Sequence, residues 1–309
     1  MHAHTDSETP MTPTVVHAPS AALAATIAAT LTVEAEYGSV VAEGSRYTAA
    51  HHQAEGPFAG RHIVAGGRPS PCNDTNIPST HGGEVVLVSH LDLDTVGGVL
   101  RSTLGQGHPL FRHAGFWNLA EFIDVNGAHK ISYADADEDD IRALYAWWAW
   151  AKTGLPRFPR DAVADVTSTL DEAGAVLDRI LNDLDTSLLL AGDAFRADEA
   201  ALNARTFLRR EGDVLVRTAA TAGDFCNHLY TDPTGVSARA VVCLNTAFRA
   251  VTVSIADPDR ETVSCRELVQ DLWGPEAGGH KGIGGGPREV AFDETHLEAA
   301  VAEMVRRLG

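Results

Sequence analysis

The sequence predicts an α/β fold in which an N-terminal parallel-sheet α/β domain is joined by a helical connector to a smaller C-terminal α/β domain. Three observations carry this expectation. The apolar, β-branched run Val85-Val86-Leu87-Val88 reads as a buried parallel strand, and it ends in a polar turn followed by a Gly pair. A stretch of helical periodicity from Pro159 to Leu190 follows further along. Strand-like segments then resume and close on a Gly-rich turn and a last helix. At 309 residues, 44% hydrophobic and 21% charged, the chain is long enough for two domains with a sizeable core.

Taken in order, the first ~18 residues are polar and read as a flexible tail. Ser20 to Leu31, SAALAATIAATL, reads as a Ser-capped apolar helix, and LTVEAEYGSVVAEGSRYTAAHH as short strands with turns. GPFAGRHIVAGGRPSPCNDTNIPSTHGG is a long loop, a length that draws interest to His51, His52 and Asp74 around it. A β-α pattern begins with the run at Val85. It continues through FWNLAEFIDVNGAHKIS, where Asp124 is expected at a strand end, to the helix DEDDIRALYAWWAWAKTG. The acids from Asp137 to Asp140 suit a helix N-terminus, and Trp147, Trp148 and Trp150 suit the core. After the connector, a second helix is expected near Ala194 to Arg210. The strand-like segments DVLVRTAA, ARAVVCLN and RAVTVSIA, the turn GPEAGGHKGIGGGPREV and the helix THLEAAVAEMVRRL complete the chain. The expected divisions are a tail over 1–18, a metal-binding domain over 19–191 with its connector from about 159, and a substrate-binding domain over 192–309.

Charge and cysteine content exclude several functions. With 24 Lys and Arg against 42 Asp and Glu, the net charge is −18, and no basic run offers the footprint that long duplex nucleic acid requires. A small anionic substrate would need local help from metal ions or a few placed cations. The four cysteines, Cys72, Cys226, Cys243 and Cys265, form no CxxC pair, which argues against a zinc knuckle or a disulfide framework and for a cytoplasmic location. MHAHTDSETP lacks a basic signal-peptide start, and no apolar run approaches the roughly 18 residues of a membrane span. Oligomeric state is not legible.

Two motifs carry chemistry. In SHLDLDTVGG, His90, Asp92 and Asp94 follow the strand end, where open α/β sheets bind ligands. If that segment stays extended, alternate residues point the same way and the three converge as a divalent-cation site, with Gly97 and Gly98 as a tight turn into a helix. The bland alternative is a polar loop with a helix-capping Asp. In GGHKGIGGGP, Gly278 to Pro287, six glycines in ten residues expose backbone N–H groups that can cradle an anion, beside His280 and Lys281. A flexible surface loop is the alternative there.

Together, in this order, the motifs resemble those of the DHH superfamily of metal-dependent phosphoesterases. That family couples an H-x-D-x-D-x-x-G α/β domain to a smaller domain with a GGGH-type turn. His90, Asp92, Asp94 and Gly97 match the first motif, and Gly278, Gly279 and His280 match most of the second. The resemblance covers roughly residues 85 to 309. It implies one or two divalent ions, commonly manganese, at the first motif and a substrate phosphate at the second. The Asp-His-His motif itself is absent; FIDVNGAHK, with Asp124 and His129, is its nearest counterpart, and the earlier His51 and His52 are the other candidates to complete the ligand set.

The expected function is a metal-dependent hydrolase of a small phosphate ester, anhydride or short oligonucleotide, held between two domains. Asp92, Asp94 and Asp124 are the candidate catalytic residues. Gly278, Gly279, His280, Lys281 and Arg288 are the candidate substrate-binding residues. With no G-x-S-x-G elbow, the nucleophile is expected to be water. Hydrolysis of an amide bond is the first alternative. Zinc deacetylases of the LmbE type begin with a similar strand and His-rich acidic turn, but they leave GGHKG unexplained. A non-catalytic metal-binding sensor or scaffold is the second.

Overall fold

The protein is described here by a computed structural model that covers residues 12–37, 40–42, 46–49, 70–128, 131, 134–258 and 260–309. His51, His52 and His129, three of the proposed ligands, lie outside the described residues.

Short β-branched runs build a first sheet. Its strands are β1 (Thr14–His17), β2 (Leu31–Val33), β5 (Tyr47–Ala49), β6 (Val85–Val88) and β7 (Ala164–Asp165); β3 (Glu36–Tyr37) and β4 (Val40–Val41) pair separately. The order is β5-β2-β6-β1-β7, with every neighbouring pair parallel except β1 with β7. The VVLV run is therefore central. Residues 14–17, expected in a flexible tail, are an inner strand, because Thr-Val-Val-His has the β-branched pattern of its partner β6.

The first helix, α1 (Ala21–Ala24), is a single turn capped by Ser20, far shorter than the apolar composition predicts. Thr26 bonds back to the Leu23 carbonyl, and Leu31 already belongs to β2. After β6 comes α2 (Leu93–Leu104), whose N-cap is Asp92. Gly97 and Gly98 lie inside this helix rather than in a turn before it. A Cβ on Gly97 would stand 2.6 Å from both Cys72 Cβ and the Trp117 ring, and one on Gly98 2.7 Å from Pro71 Cβ. These glycines let α2 approach its neighbours closely.

The segment around Asp124 is not a strand but α3 (Ala114–Asn126). Phe116, Leu119, Ala120 and Ile123 recur at helical spacing and pack in the core, so the period was present in the sequence. Next is α4 (Glu138–Gly154), capped by Asp137, which accepts from Asp140 N at 2.9 Å. Trp147 is buried as expected, while Trp148 and Trp150 are half-buried against the core.

The connector consists of α5 (Thr167–Leu181), α6 (Thr186–Ala197) and α7 (Glu199–Thr206). Its break falls at 182–185, not at the glycine: Asp185 caps α6, and Gly192 sits within it, where a Cβ would come 2.5 Å from Ala146 N of α4. The chain from Phe207 is strand, not helix.

The second sheet contains β8 (Phe207–Glu211), β9 (Val214–Ala219), β10 (Ala240–Asn245), β11 (Ala250–Ile255), β12 (Gly278–Gly279) and β13 (Ile283–Gly285), ordered β12-β13-β11-β10-β9-β8. Only β9 and β10 are parallel among its pairs. One face is covered by α8 (Cys265–Trp273) and α9 (Glu294–Leu308), which bury Leu268, Val269, Leu297 and Met304 against Val216, Val242 and Val253. Each such side chain contributes about 1.5–3 kcal/mol by leaving water. The architecture is thus a parallel-sheet α/β lobe, a helical connector and a smaller α/β lobe. Among the described residues no helix is long and apolar enough to cross a membrane.

Candidate functional site

Register places the site. Val33 of β2 and His17 of β1 both pair with Val88 of β6, so His17, Glu34 and Ser89-His90 stand together at the carboxyl edge of three adjacent parallel strands. Glu34 is completely buried and has φ of 48°, a left-handed conformation unusual for a residue with a side chain. Side chains of Ser89, just after β6, and Thr95 of α2 hold it there. Ser89 Oγ donates to the Glu34 carbonyl and accepts from Glu36 N at 3.3 Å, and Thr95 Oγ1 donates to Glu34 Oε2.

His90 Nε2 lies 3.1 Å from Asp92 Oδ2 and 3.5 Å from Glu34 Oε2. Among the described residues, Glu34, His90 and Asp92 form the group of potential ligands whose donor atoms all lie within 4.8 Å of one another. Two carboxylate oxygens and an imidazole nitrogen suit a hard or borderline divalent cation. Burial of Glu34 in a left-handed turn fits a ligand held in place rather than a solvated surface acid. The Asp92 carboxyl suffers desolvation, yet the adjacent His90 ring and bonds from Thr95 hold its pKa below the ordinary range, so it is ionised.

Asp94 is not in this group. The helix begins at Leu93, so the alternation that aligns His90 with Asp92 stops there, and Asp94 Oδ1 instead accepts from Cys72 N at 2.9 Å. Asp124, carried on α3, is outside the group as well. Both still line a cleft of about 560 Å³ between the lobes, with His90 and Asp92. Cys72 itself is no nucleophile, since burial first, and the Asp94 carboxylate next, push its thiol pKa well up.

From the second lobe, His280 and Arg288 line the same cleft. Arg288 Nη1 donates to the Ser89 carbonyl, and its Nη2 lies 3.0 Å from His90 Nδ1. A guanidinium only donates, so Nδ1 is the acceptor in this contact and Nε2 is the ring nitrogen turned to Asp92. Nε2 is the His90 atom that would hold an ion. The Gly-rich segment is a β-hairpin rather than an open anion cradle: His280 N bonds to the Ile283 carbonyl, Gly282 N to His280 Nδ1 and Gly286 N to the Val251 carbonyl. Several of its glycines answer crowding, as at Gly286, where a Cβ would fall 2.1 Å from the Phe292 ring. Gly278 and Gly279 face a smaller cavity of about 210 Å³, of which His90 and Arg288 are also walls, and Gly279 borders both. Lys281 is exposed and is not among the residues lining either cavity.

His17 and Glu34 escaped the sequence reading. Each follows a short β-branched run, as His90 does nearly, and that shared position was the available signal. His17 is 5% exposed, its ring lies 4.9 Å from that of Phe158, and burial, then Arg288, push its pKa down to about 4. It is neutral at physiological pH.

No protein-family model matches the chain, and no curated protein matches it. Among solved structures, PggH, a pGpG-specific phosphodiesterase from Vibrio cholerae, is similar to it over 74% of this chain and 82% of that one, with 12% sequence identity and a TM-score of 0.37.

Proposed function

We propose that the chain is a divalent-metal-dependent hydrolase, a phosphoesterase or phosphoanhydride hydrolase in class, acting on a small anionic substrate or short oligonucleotide in the cleft between its lobes. The observation that carries this reading is the meeting of Arg288 with His90: His90 and Asp92 of one lobe and a cation of the other face the same cleft. Glu34, His90 and Asp92 hold the ion, manganese in the first instance. When bound, it supplies Lewis acidity and a water of lowered pKa. Thr95 and Ser89 fix Glu34 and are thereby committed, which leaves neither hydroxyl as a nucleophile. Arg288 and His280 take the anionic group. Asp94 and Asp124 shape the acidic wall beside it. With a net charge of −18, the protein relies on these local groups to attract an anion.

The test is turnover of a panel of phosphate monoesters, diesters and anhydrides by protein stripped with a chelator and then reloaded with Mn2+. Hydrolysis is expected only after reloading. A loaded protein that cleaves none of the panel overturns the reading.

A further inference from the structure

The cleft also has an aromatic part. Trp148, Phe195 and Phe225 enter its wall, and Phe225 is 44% exposed despite its size. Two cations, Lys152 and Arg205, line the cleft with them. Lys152, near the end of α4, lies with its ammonium 5.4 Å from the Phe195 ring centre and 3.7 Å from Asp224 Oδ1. That separation is beyond a hydrogen bond, and among the described residues the ammonium donates none. Asp224 is otherwise engaged, accepting from Arg205 Nη2 at 2.9 Å; Arg205 also faces the exposed Asp198 at 3.5 Å. Arg205 is the closer partner of both acids, so Lys152 keeps only a long ion pair to Asp224 and its contact with the Phe195 ring.

The loop opposite is cut to admit this lysine. A Cβ on Gly223 would fall 1.7 Å from Lys152 Cγ, and the Gly223 backbone is not left-handed, so space for the stem is what this glycine provides. An ammonium that faces the cleft and makes no short hydrogen bond to the protein can offer its N–H groups to a ligand.

We propose that Lys152 recognises a second anionic group, a carboxylate or phosphate, on the part of the substrate remote from the bond that is cleaved. The substrate class is then a phosphoester with an apolar, flat body lying along Trp148, Phe195 and Phe225 and a negative charge at each end. This rests on the reading above for which end reacts, but the recognition itself is a binding property.

It is tested with phosphonates, which bind without being hydrolysed. Phenylphosphonate, 4-phosphonobenzoate and 4'-phosphonobiphenyl-4-carboxylate are titrated into the Mn2+-loaded protein, read by the fluorescence of Trp147 and Trp148 in the cleft wall. At least one carboxylated probe should bind about tenfold or more tightly than phenylphosphonate, as a charge-assisted contact allows. In Lys152→Met, which keeps the apolar stem, the ratio should fall close to one, and Gly223→Ala should reduce it by displacing the lysine. Equal affinities across the series, no binding by any probe, or a ratio that survives Lys152→Met overturns the proposal. Turnover of phenyl phosphate and 4-carboxyphenyl phosphate separates the two claims. A carboxylate preference without hydrolysis defeats the hydrolase reading alone, and hydrolysis without the preference defeats the Lys152 proposal alone.

Discussion

Arg288 meets His90 across 198 residues of sequence, its Nη2 3.0 Å from the imidazole Nδ1 while Nη1 bonds the Ser89 carbonyl. A planar fork can do both at once, and a lysine ammonium cannot reproduce its geometry. Arg288→Ala should therefore raise KM for an anionic substrate by about tenfold or more, with Arg288→Lys recovering only part of the loss. Metal content of both variants should stay within twofold of wild type. Steady-state kinetics beside metal analysis is the check, and unchanged constants in Arg288→Ala would remove it from substrate binding.

Asp92 has two tasks that substitution can separate. Its Oδ1 caps α2 by accepting from Thr95 N at 2.8 Å, while Oδ2 faces His90. Asp92→Asn keeps a capping oxygen but loses the charge, so stability should change little and activity should be lost. Asp92→Ala should lose activity and about 1 kcal/mol of stability with the cap. Urea unfolding of the two variants decides this, and equal destabilisation would show that the cap is unimportant.

His17 makes stability depend on pH in a definite direction. In the unfolded chain it titrates near 6.5, and in the folded protein only near 4. Above pH 6.5 both states are neutral and nothing is lost. As pH falls from 6.5 to 4 the unfolded chain takes up a proton that the native state refuses, so the native state loses up to roughly 3 kcal/mol, levelling off below. His17→Gln removes this term. The stability difference between wild type and variant should therefore shift by that order between pH 7 and pH 4; a difference that does not move with pH would refute the assignment.

Local signals in the sequence led as far as local physics reaches. The run Val85–Val88, the cap at Asp137 and the two-sheet α/β architecture are all set by patterns within a few residues. The convergence of His90 with Asp92 was legible for the same reason. Asp94 was misplaced because extended alternation was carried one step too far, past the point where Leu93 turns helical. Asp124 was assigned to a strand although Phe116, Leu119, Ala120 and Ile123 mark a helix, so there the period was misread. Glu34 is different in kind. Only the pairing of Val33 with Val88 and the left-handed turn after it bring this carboxylate to His90, and neither is written in its own neighbourhood. The same holds for Arg288, which was expected to bind substrate but whose contact with the ligand cluster depends on how the lobes meet.

Uptake of Mn2+ by the wild-type protein and by Glu34→Gln, followed through the loss of the free-ion electron paramagnetic resonance signal, tests the central claim most directly. Glu34→Gln keeps the size of the side chain and removes the charge at the buried ligand. If Glu34, His90 and Asp92 form the metal centre, wild type should take up the ion and Glu34→Gln should bind it about tenfold or more weakly, as loss of an anionic ligand requires. Equal uptake by the two proteins, or none by wild type, would contradict a metal centre at this cluster.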